Sequence, residues 1–298
     1  MRITSEMMVA NSVKRLSARL EQYERSQSAL ASGKRLRAPS DDPAGANRAL
    51  GLRAQQRARE QESRNATDAK AWLDSADSQL QGALERLHRV RELALRASST
   101  VSVEERSAIA AEMVQVRDEL VGLANARVGN RPLFAGNAAG EAVRLDDGAW
   151  TFAGDDGAVT RRVGERDVVR VNVSASAVFG FSDRSSGSPD VFTMVDRLTD
   201  RVLAGDTGAV SSGLADLDVA RTRLNRGLAE VGAAANRVES ALRRSAEDLL
   251  SVRSQLAEVE DVDVPAAIME LQTQETAYQA TLQALSKALP PSLVSFLR

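Results

Sequence analysis

The chain has 298 residues, 43% of them hydrophobic but only 3% aromatic, and its 39 basic residues nearly balance 41 acidic ones for a net charge of -2. So small a net charge leaves no overall field drawing it to nucleic acid or an anionic membrane, and the scarcity of aromatics excludes a large aromatic-centred core. With no cysteine and His88 as the one histidine, disulfides, thiol chemistry and a His/Cys metal site are excluded. No apolar run reaches the length of a membrane span, and Met1 to Leu20 is too polar for a signal peptide. The expectation is a cytoplasmic chain, or one exported without a cleaved signal.

Val9, Val13, Leu16, Leu20, Tyr23, Gln27 and Leu30 follow four-three spacing, which predicts a first helix stopped by Gly33. Asp42-Pro43 supplies an N-cap followed by a first-turn proline. A second helix is expected from Pro43 through Leu73, Leu80 and Leu87 to about Ala97. Ser102-Val103-Glu104-Glu105 reads as a capping box opening a third helix, with Ile109, Met113, Val116, Leu120 and Leu123 on one face and an end near Gly129. The helical period then disappears. Asp146-Asp147-Gly148 and Asp155-Asp156-Gly157 offer turn chemistry between short β-type runs at Trp150 to Phe152, at Val159 to Val163 and along Val169, Val171 and Val173.

Ser188-Pro189 is expected to cap a helix carrying Phe192, Val195, Leu198 and Val202 and closed by Gly205. The most regular pattern follows. Alternate steps of three and four from Leu214 reach Leu217, Arg221, Leu224, Leu228, Val231, Ala235, Val238, Leu242, Ser245, Leu249, Val252, Leu256 and Val259, apolar at all but Arg221 and Ser245. This is a long helix with a continuous seam, about 70 Å at 1.5 Å per residue, and other long helices must lie beside it. Leu228, Val231 and Leu242 are expected to be buried, and the two polar seam positions to accept leucine at little cost. Glu258 to Asp263 reads as a solvated or partner-facing acidic patch, with a break at Pro265. A last helix carries Ile268, Leu271, Glu275, Tyr278, Leu282, Leu285 and Leu289.

The fold class expected is mainly α: an elongated antiparallel helical bundle or coiled-coil rod built from both chain ends, with a small inserted β domain. Residues 1 to 64 carry thirteen Lys/Arg against seven Asp/Glu, and residues 247 to 275 one Arg against eight Asp/Glu. These opposite charges favour pairing of the two ends, although each exposed pair is worth only ~0 to 1 kcal/mol. No enzyme motif stands out. Ser32-Gly33-Lys34 lacks the earlier glycine and the Ser/Thr of a phosphate loop. The acidic run at 258 to 263 lacks the glycine-turned loop that gathers ligands around Ca²⁺, and His88 reads as a surface residue. The basic run from Arg48 to Arg64 has no aromatic stacking partners for nucleic acid. No cofactor is expected.

Several motifs together resemble one family. Leu30 to Leu36, followed by Ser40, Asp41, Asp42, Pro43, Ala44 and Gly45, is similar to the N-terminal signature of bacterial flagellins and their hook-associated relatives. Leu87 to Ala94 is similar to that family's second-helix segment, Gly232 to Val238 with Asn236 and Arg237 to its C-terminal helix, and Glu260 to Asp263 with the helix after it also resembles the family. The likeness covers roughly residues 1 to 136 and 188 to 298. Met1-Arg2-Ile3-Thr4, the single small β unit, and Gly129 to Gly136 with Leu133, Phe134 and Gly136 resemble the branch that joins hook to filament. The tail Pro290 to Arg298 is closer to a flagellin tail, so flagellin stays as the alternative.

The resemblance implies a structural protein that polymerises, in the extracellular flagellum, after export without a cleaved signal through the flagellar secretion channel. Implied partners are copies of itself, hook-associated protein 1, flagellin and a cytoplasmic export chaperone on the C-terminal helix; neither nucleic acid nor membrane insertion is expected. The terminal helices, 1 to 40 and 262 to 298, would be disordered in the monomer and carry assembly through Val9, Val13, Leu16, Leu20, Tyr23, Leu30, Ile268, Leu271, Tyr278, Leu282, Leu285 and Leu289. Residues 41 to 132 with 188 to 261 would form the helical rod, and 133 to 187 the β domain. A cytoplasmic signalling rod is a second class, disfavoured by the β module; a carbohydrate-active enzyme would need paired carboxylates in a cleft, whereas Asp146, Asp147, Asp155 and Asp156 sit in turns.

Overall fold

The computed structural model describes residues 5–99, 102–182 and 189–288. The helices are α1 (Ser5–Ser32), α2 (Pro43–Ser98), α3 (Val103–Ala124), α4 (Ala175–Val178), α5 (Val191–Ala204), α6 (Thr207–Glu260) and α7 (Val264–Ala288). Between α3 and α4 lie β1 (Arg127–Val128), β2 (Arg131–Pro132), β3 (Val143–Asp146), β4 (Ala149–Phe152), β5 (Thr160–Arg162) and β6 (Val168–Arg170). The fold is mainly helical with a small β region, in the order read from the sequence. Two compact units divide it: Met1–Ala58 with Leu249–Arg298, and Arg59–Asp248.

Local chemistry sets the helix ends. Gly33 leaves α1 at φ 68, where glycine has no Cβ to clash. The Asp42 carboxylate accepts the Gly45 N–H (2.9 Å) at the start of α2, and Ser102 Oγ accepts the Glu105 N–H at the start of α3. Asp190, not Ser188, caps α5, its carboxylate accepting the Thr193 N–H; Ser188 lies outside the described residues. Gly205 ends α5 at φ 70. Pro265 falls in the first turn of α7, where it needs no N–H, behind an Asp263 carboxylate that accepts from Ala266. The third helix stops at Ala124 rather than near Gly129. Asn125 caps it and Gly129, at φ 57, turns the β1–β2 hairpin instead.

In the unit Arg59–Asp248, the seam of α6 follows the expected spacing, but of the three residues expected to be buried only Val231 is, Leu228 and Leu242 being partly covered. Leu217, Leu224, Val231 and Val238 are buried, while Leu214, Leu228, Ala235 and Leu242 are partly covered and pack against the same core. The same core contains Leu73, Leu80, Leu87 and Val90 of α2, with Met113, Val116 and Leu120 of α3. Gly227 allows a close approach, since a Cβ there would stand 2.8 Å from Val178 Cγ2. The β region is three separate antiparallel pairs, β1–β2, β3–β4 and β5–β6, rather than one sheet. Asp147 and Gly148 take positive φ (49 and 78) in the β3–β4 turn, as a two-residue hairpin requires. Asp155 and Gly157 do not turn a hairpin, because β4 and β5 are not partners. Val171 and Val173 fall just beyond β6, both buried.

The rare aromatics are concentrated. Phe192 of α5 lies 5.4 Å from Trp150, 5.4 Å from Phe179 and 6.1 Å from Phe181, ring centre to ring centre. Phe134 meets Phe179 edge-on and Phe152 stacks with Phe181. Six aromatic rings thus gather where the β region meets α5. Trp150 is also tied down at its polar end, donating to Asp196 Oδ2 (2.8 Å), whose other oxygen accepts from Arg117.

The two polar seam positions behave differently from one another. Arg221 is exposed and pairs with Asp218 three residues back, so it lies outside the buried seam. Ser245 is only 6% exposed and donates to the Arg59 carbonyl (3.2 Å) across the helix pair. The expected costs therefore split. Arg221→Leu should change stability by no more than ~0.5 kcal/mol. Ser245→Leu should cost ~1 to 3 kcal/mol, since extra methylenes must enter a packed contact. Urea unfolding followed by Trp72 and Trp150 measures both, and equal costs would show that Ser245 is not confined as described.

Candidate assembly interface

In the unit Met1–Ala58 with Leu249–Arg298, α7 runs back along α1. On α1 the partly buried positions include Leu16, Tyr23 and Leu30, seven apart, with Ser26 and Ala29 between. On α7 they include Leu271, Gln274, Tyr278 and Thr281, which continue from the buried Ala267 in steps of four and three. Of the expected interface residues, Leu16, Tyr23, Leu30, Leu271 and Tyr278 are thus brought together. The others described turn outward: Val13 is 48% exposed, Leu20 39%, Ile268 42% and Leu282 39%. The side chains of Val9 and Leu285, and Leu289 altogether, lie outside the described residues. The pair thus spends alternate heptad positions on its own contact and leaves the rest, joined by Met7, Val264 and Met269, uncovered.

The pair joins α2 and α6 through two crossings, residues 33–42 and 261–263. Here the acidic run is solvated at Glu258, Asp261 and Asp263 but not at Glu260. Glu260 is buried, its side chain 4% exposed, with Lys34 Nζ 3.3 Å from Oε2 and Arg53 Nε 2.8 Å from Oε1. Its carbonyl accepts the N–H groups of Arg35 (2.7 Å) and Leu36 (3.3 Å), and Val262 donates to the Gly33 carbonyl. Lys34 and Asp261 form an antiparallel bridge and a 2.6 Å ion pair. The Asp261 carboxylate, aided by Glu260, holds the Lys34 ammonium above the ordinary lysine value. Opposite charge on the two chain ends is therefore used, but at this joint. Beneath it Leu36, Ala49, Leu52, Val252, Leu256 and Val259 form a small apolar cluster.

The motif residues have readable local tasks. Asp41 accepts from the Ala38 N–H (2.8 Å) and the Arg37 N–H (3.3 Å), which keep its carboxyl below the usual range. Pro43 begins α2. A Cβ on Gly45 would stand 2.4 Å from the Asp42 carboxylate that caps the helix. Ser40 is exposed. In the other unit, Leu133 and Phe134 are buried, and Gly136, at φ 70, passes so near Asp155 that a Cβ would lie 2.1 Å from its carbonyl oxygen. The Asp155 carboxylate then accepts from Asn137 (2.7 Å) and Gly157 (2.9 Å). Asn236 is exposed on α6; Arg237 is exposed too, donating to Asp167 Oδ1 (2.9 Å) in the β5–β6 turn.

Among the described residues no group of three or more acidic or histidine side chains is placed to hold a metal ion, and no helix is long and apolar enough to cross a membrane. What the sequence did not single out is Glu260 as a buried ion-pair centre. The signal available was its place at the end of an apolar seam, between Val259 and Val262.

Residues 3–139 match the family model described as the bacterial flagellin N-terminal helical region, and residues 214–297 the bacterial flagellin C-terminal helical region. Flagellar hook-associated protein 3 of Escherichia coli is 25% identical over 96% of both chains, and that of Salmonella typhimurium 24% identical over 94% of this chain and 95% of its own. A flagellin of Halalkalibacterium halodurans is 24% identical over 99% of both. A putative flagellar hook-associated protein of Vibrio parahaemolyticus superposes with a TM-score of 0.69 at 21% identity, covering 74% of this chain and 100% of that one. The flagellar junction protein FlgL of Legionella pneumophila superposes with a TM-score of 0.59 at 16% identity, covering 72% and 100%. Both terminal helical regions match in order, and the chain belongs to the bacterial flagellin family of structural flagellar proteins, which includes the hook-associated proteins.

Proposed function

We propose that this chain is a subunit of the junction between flagellar hook and filament, that it polymerises through α1 and α7, and that it catalyses no reaction. The observation that carries the reading is the half-used apolar stripe of the terminal pair. Val13 and Leu20 on α1, with Ile268 and Leu282 on α7, stay open to solvent at heptad spacing from residues already in contact. A second copy, or a related axial subunit, would cover them. Partners of matching chemistry are copies of the chain itself, hook-associated protein 1 and flagellin. An export chaperone would occupy α7 before assembly, at Tyr278, Leu282 and Leu285. The route outward is export into the external flagellum without a cleaved signal.

The terminal segments, 1 to 40 and 262 to 298, would draw much of their stability from neighbours, because a helix pair with one covered face buries little apolar surface for the backbone it orders. Two full-length hook-associated relatives support the junction role. Full-length flagellin relatives support a second reading, a filament subunit.

One experiment separates them. Cells lacking the chain are expected, by negative-stain microscopy, to keep complete hooks, to lack attached filaments and to release flagellin into the medium. Filaments built normally would overturn the junction role. Loss of filaments with no flagellin outside would favour the filament subunit.

A further inference from the structure

Resting on the reading that the α1/α7 pair is the assembly element, we propose that Glu260 is its positioning residue: one buried carboxylate that fixes both chain crossings between the pair and the adjoining ends of α2 and α6. The pair hangs on two short connections, and two unsupported connections form a joint free to swing. Glu260, the last residue of α6 and the one from which the second crossing departs, contacts both the first crossing and α2. Its carboxylate meets Lys34 of the first crossing and Arg53 of α2, while its carbonyl takes two N–H groups of the first crossing. Arg35 donates back to the Val259 carbonyl at 3.0 Å.

The apolar cluster beneath is small, so contact area alone does not define a direction. A buried charge costs desolvation that a well-packed apolar residue of similar size would avoid. What the carboxylate supplies is geometry: it stands between Lys34 of the first crossing and Arg53 of α2, and a displaced joint would leave it buried away from both cations. Asp261, 46% exposed at its side chain, is paired with Lys34 alone and cannot do this.

The test uses the full chain. Trypsin cuts after Lys34, Arg35 and Arg37, all in the first crossing, so cleavage there reads opening of the joint. Trp72 and Trp150 lie in the other unit and report its unfolding separately. Glu260→Gln is expected to raise cleavage at these three sites about tenfold or more, leave the tryptophan-detected melting midpoint unmoved, and lower the number of attached filaments when it is the sole copy in cells. Arg53→Met, which removes one cation and leaves the three sites being read intact, should do the same to a smaller degree.

Unchanged cleavage in both variants would overturn the proposal, whatever the filament count. Faster cleavage with normal filaments would overturn the positioning role and leave the assembly reading standing. Retention of the variant inside cells would also overturn it, because the direction of an assembled pair has no bearing on export. The assembly reading fails separately, if aspartates on the outward stripe leave assembly intact.

Discussion

A chain carrying Val13→Asp together with Ile268→Asp is expected to fold as the wild type does and to fail in assembly. In the monomer both positions are open, 48% and 42% exposed, so a carboxylate there stays hydrated and should change stability by no more than ~0.5 kcal/mol each. Once a neighbour covers the stripe, each carboxylate must be dehydrated without a cation to meet it. At several kcal/mol per buried unpaired charge, two such changes per subunit should weaken each lateral contact by about three orders of magnitude or more. Tyr23→Ala makes the useful contrast, since Tyr23 faces α7 within the monomer and its loss should loosen the pair before any neighbour arrives.

Filament counts in cells producing the variant as sole copy give the first readout. Amide exchange along α1 and α7 gives the second, and should be markedly faster in dilute wild-type monomer than in assembled material. Normal assembly of the double aspartate variant, or exchange equally slow before and after assembly, would remove the basis for assigning polymerisation to these faces.

How much of this was legible in the sequence depended on how local the signal was. Caps are decided within four residues, and so Gly33, Asp42-Pro43, Ser102 and Gly205 marked helix ends correctly. The α6 seam was legible because leucine and valine recur at the burial period over many turns. The end of α3 was not, because Gly129 could close a helix or turn a hairpin, and the pairing of Val128 with Arg131 decided for the hairpin. On α7 hydrophobicity pointed to Ile268 and Leu282, whereas the contact with α1 runs over Ala267, Gln274 and Thr281. Small and polar residues admit close helix approach and partial burial, and a hydrophobic count gives them no weight. Glu260 was invisible for a similar reason: its cations, Lys34 and Arg53, are more than two hundred residues away in sequence. A composition of 3% aromatic residues likewise said nothing of their gathering around Phe192.

That gathering leads to the largest stability effect expected in the unit Arg59–Asp248. Phe192 is fully buried on α5 and touches Trp150 of β4 with Phe179 and Phe181 of the segment after α4, so it joins the β region to the helices. Truncation removes its apolar area and opens a cavity walled by other rings, which are too rigid and too well anchored to collapse into it. Trp150 in particular is held by its hydrogen bond to Asp196 and by the Arg117 guanidinium 5.6 Å from its ring centre. Phe192→Ala should therefore cost ~3 to 5 kcal/mol, the upper range for a buried phenylalanine, with its tilted and stacked ring pairs included rather than added. Phe152→Ala, at a half-buried ring with Phe181 as its one stacking partner, should cost distinctly less. Urea unfolding followed by tryptophan emission measures both variants. A cost below ~1 kcal/mol for Phe192→Ala, or one no larger than that of Phe152→Ala, would show that the β region is held to α5 by its other buried contacts and not by this ring.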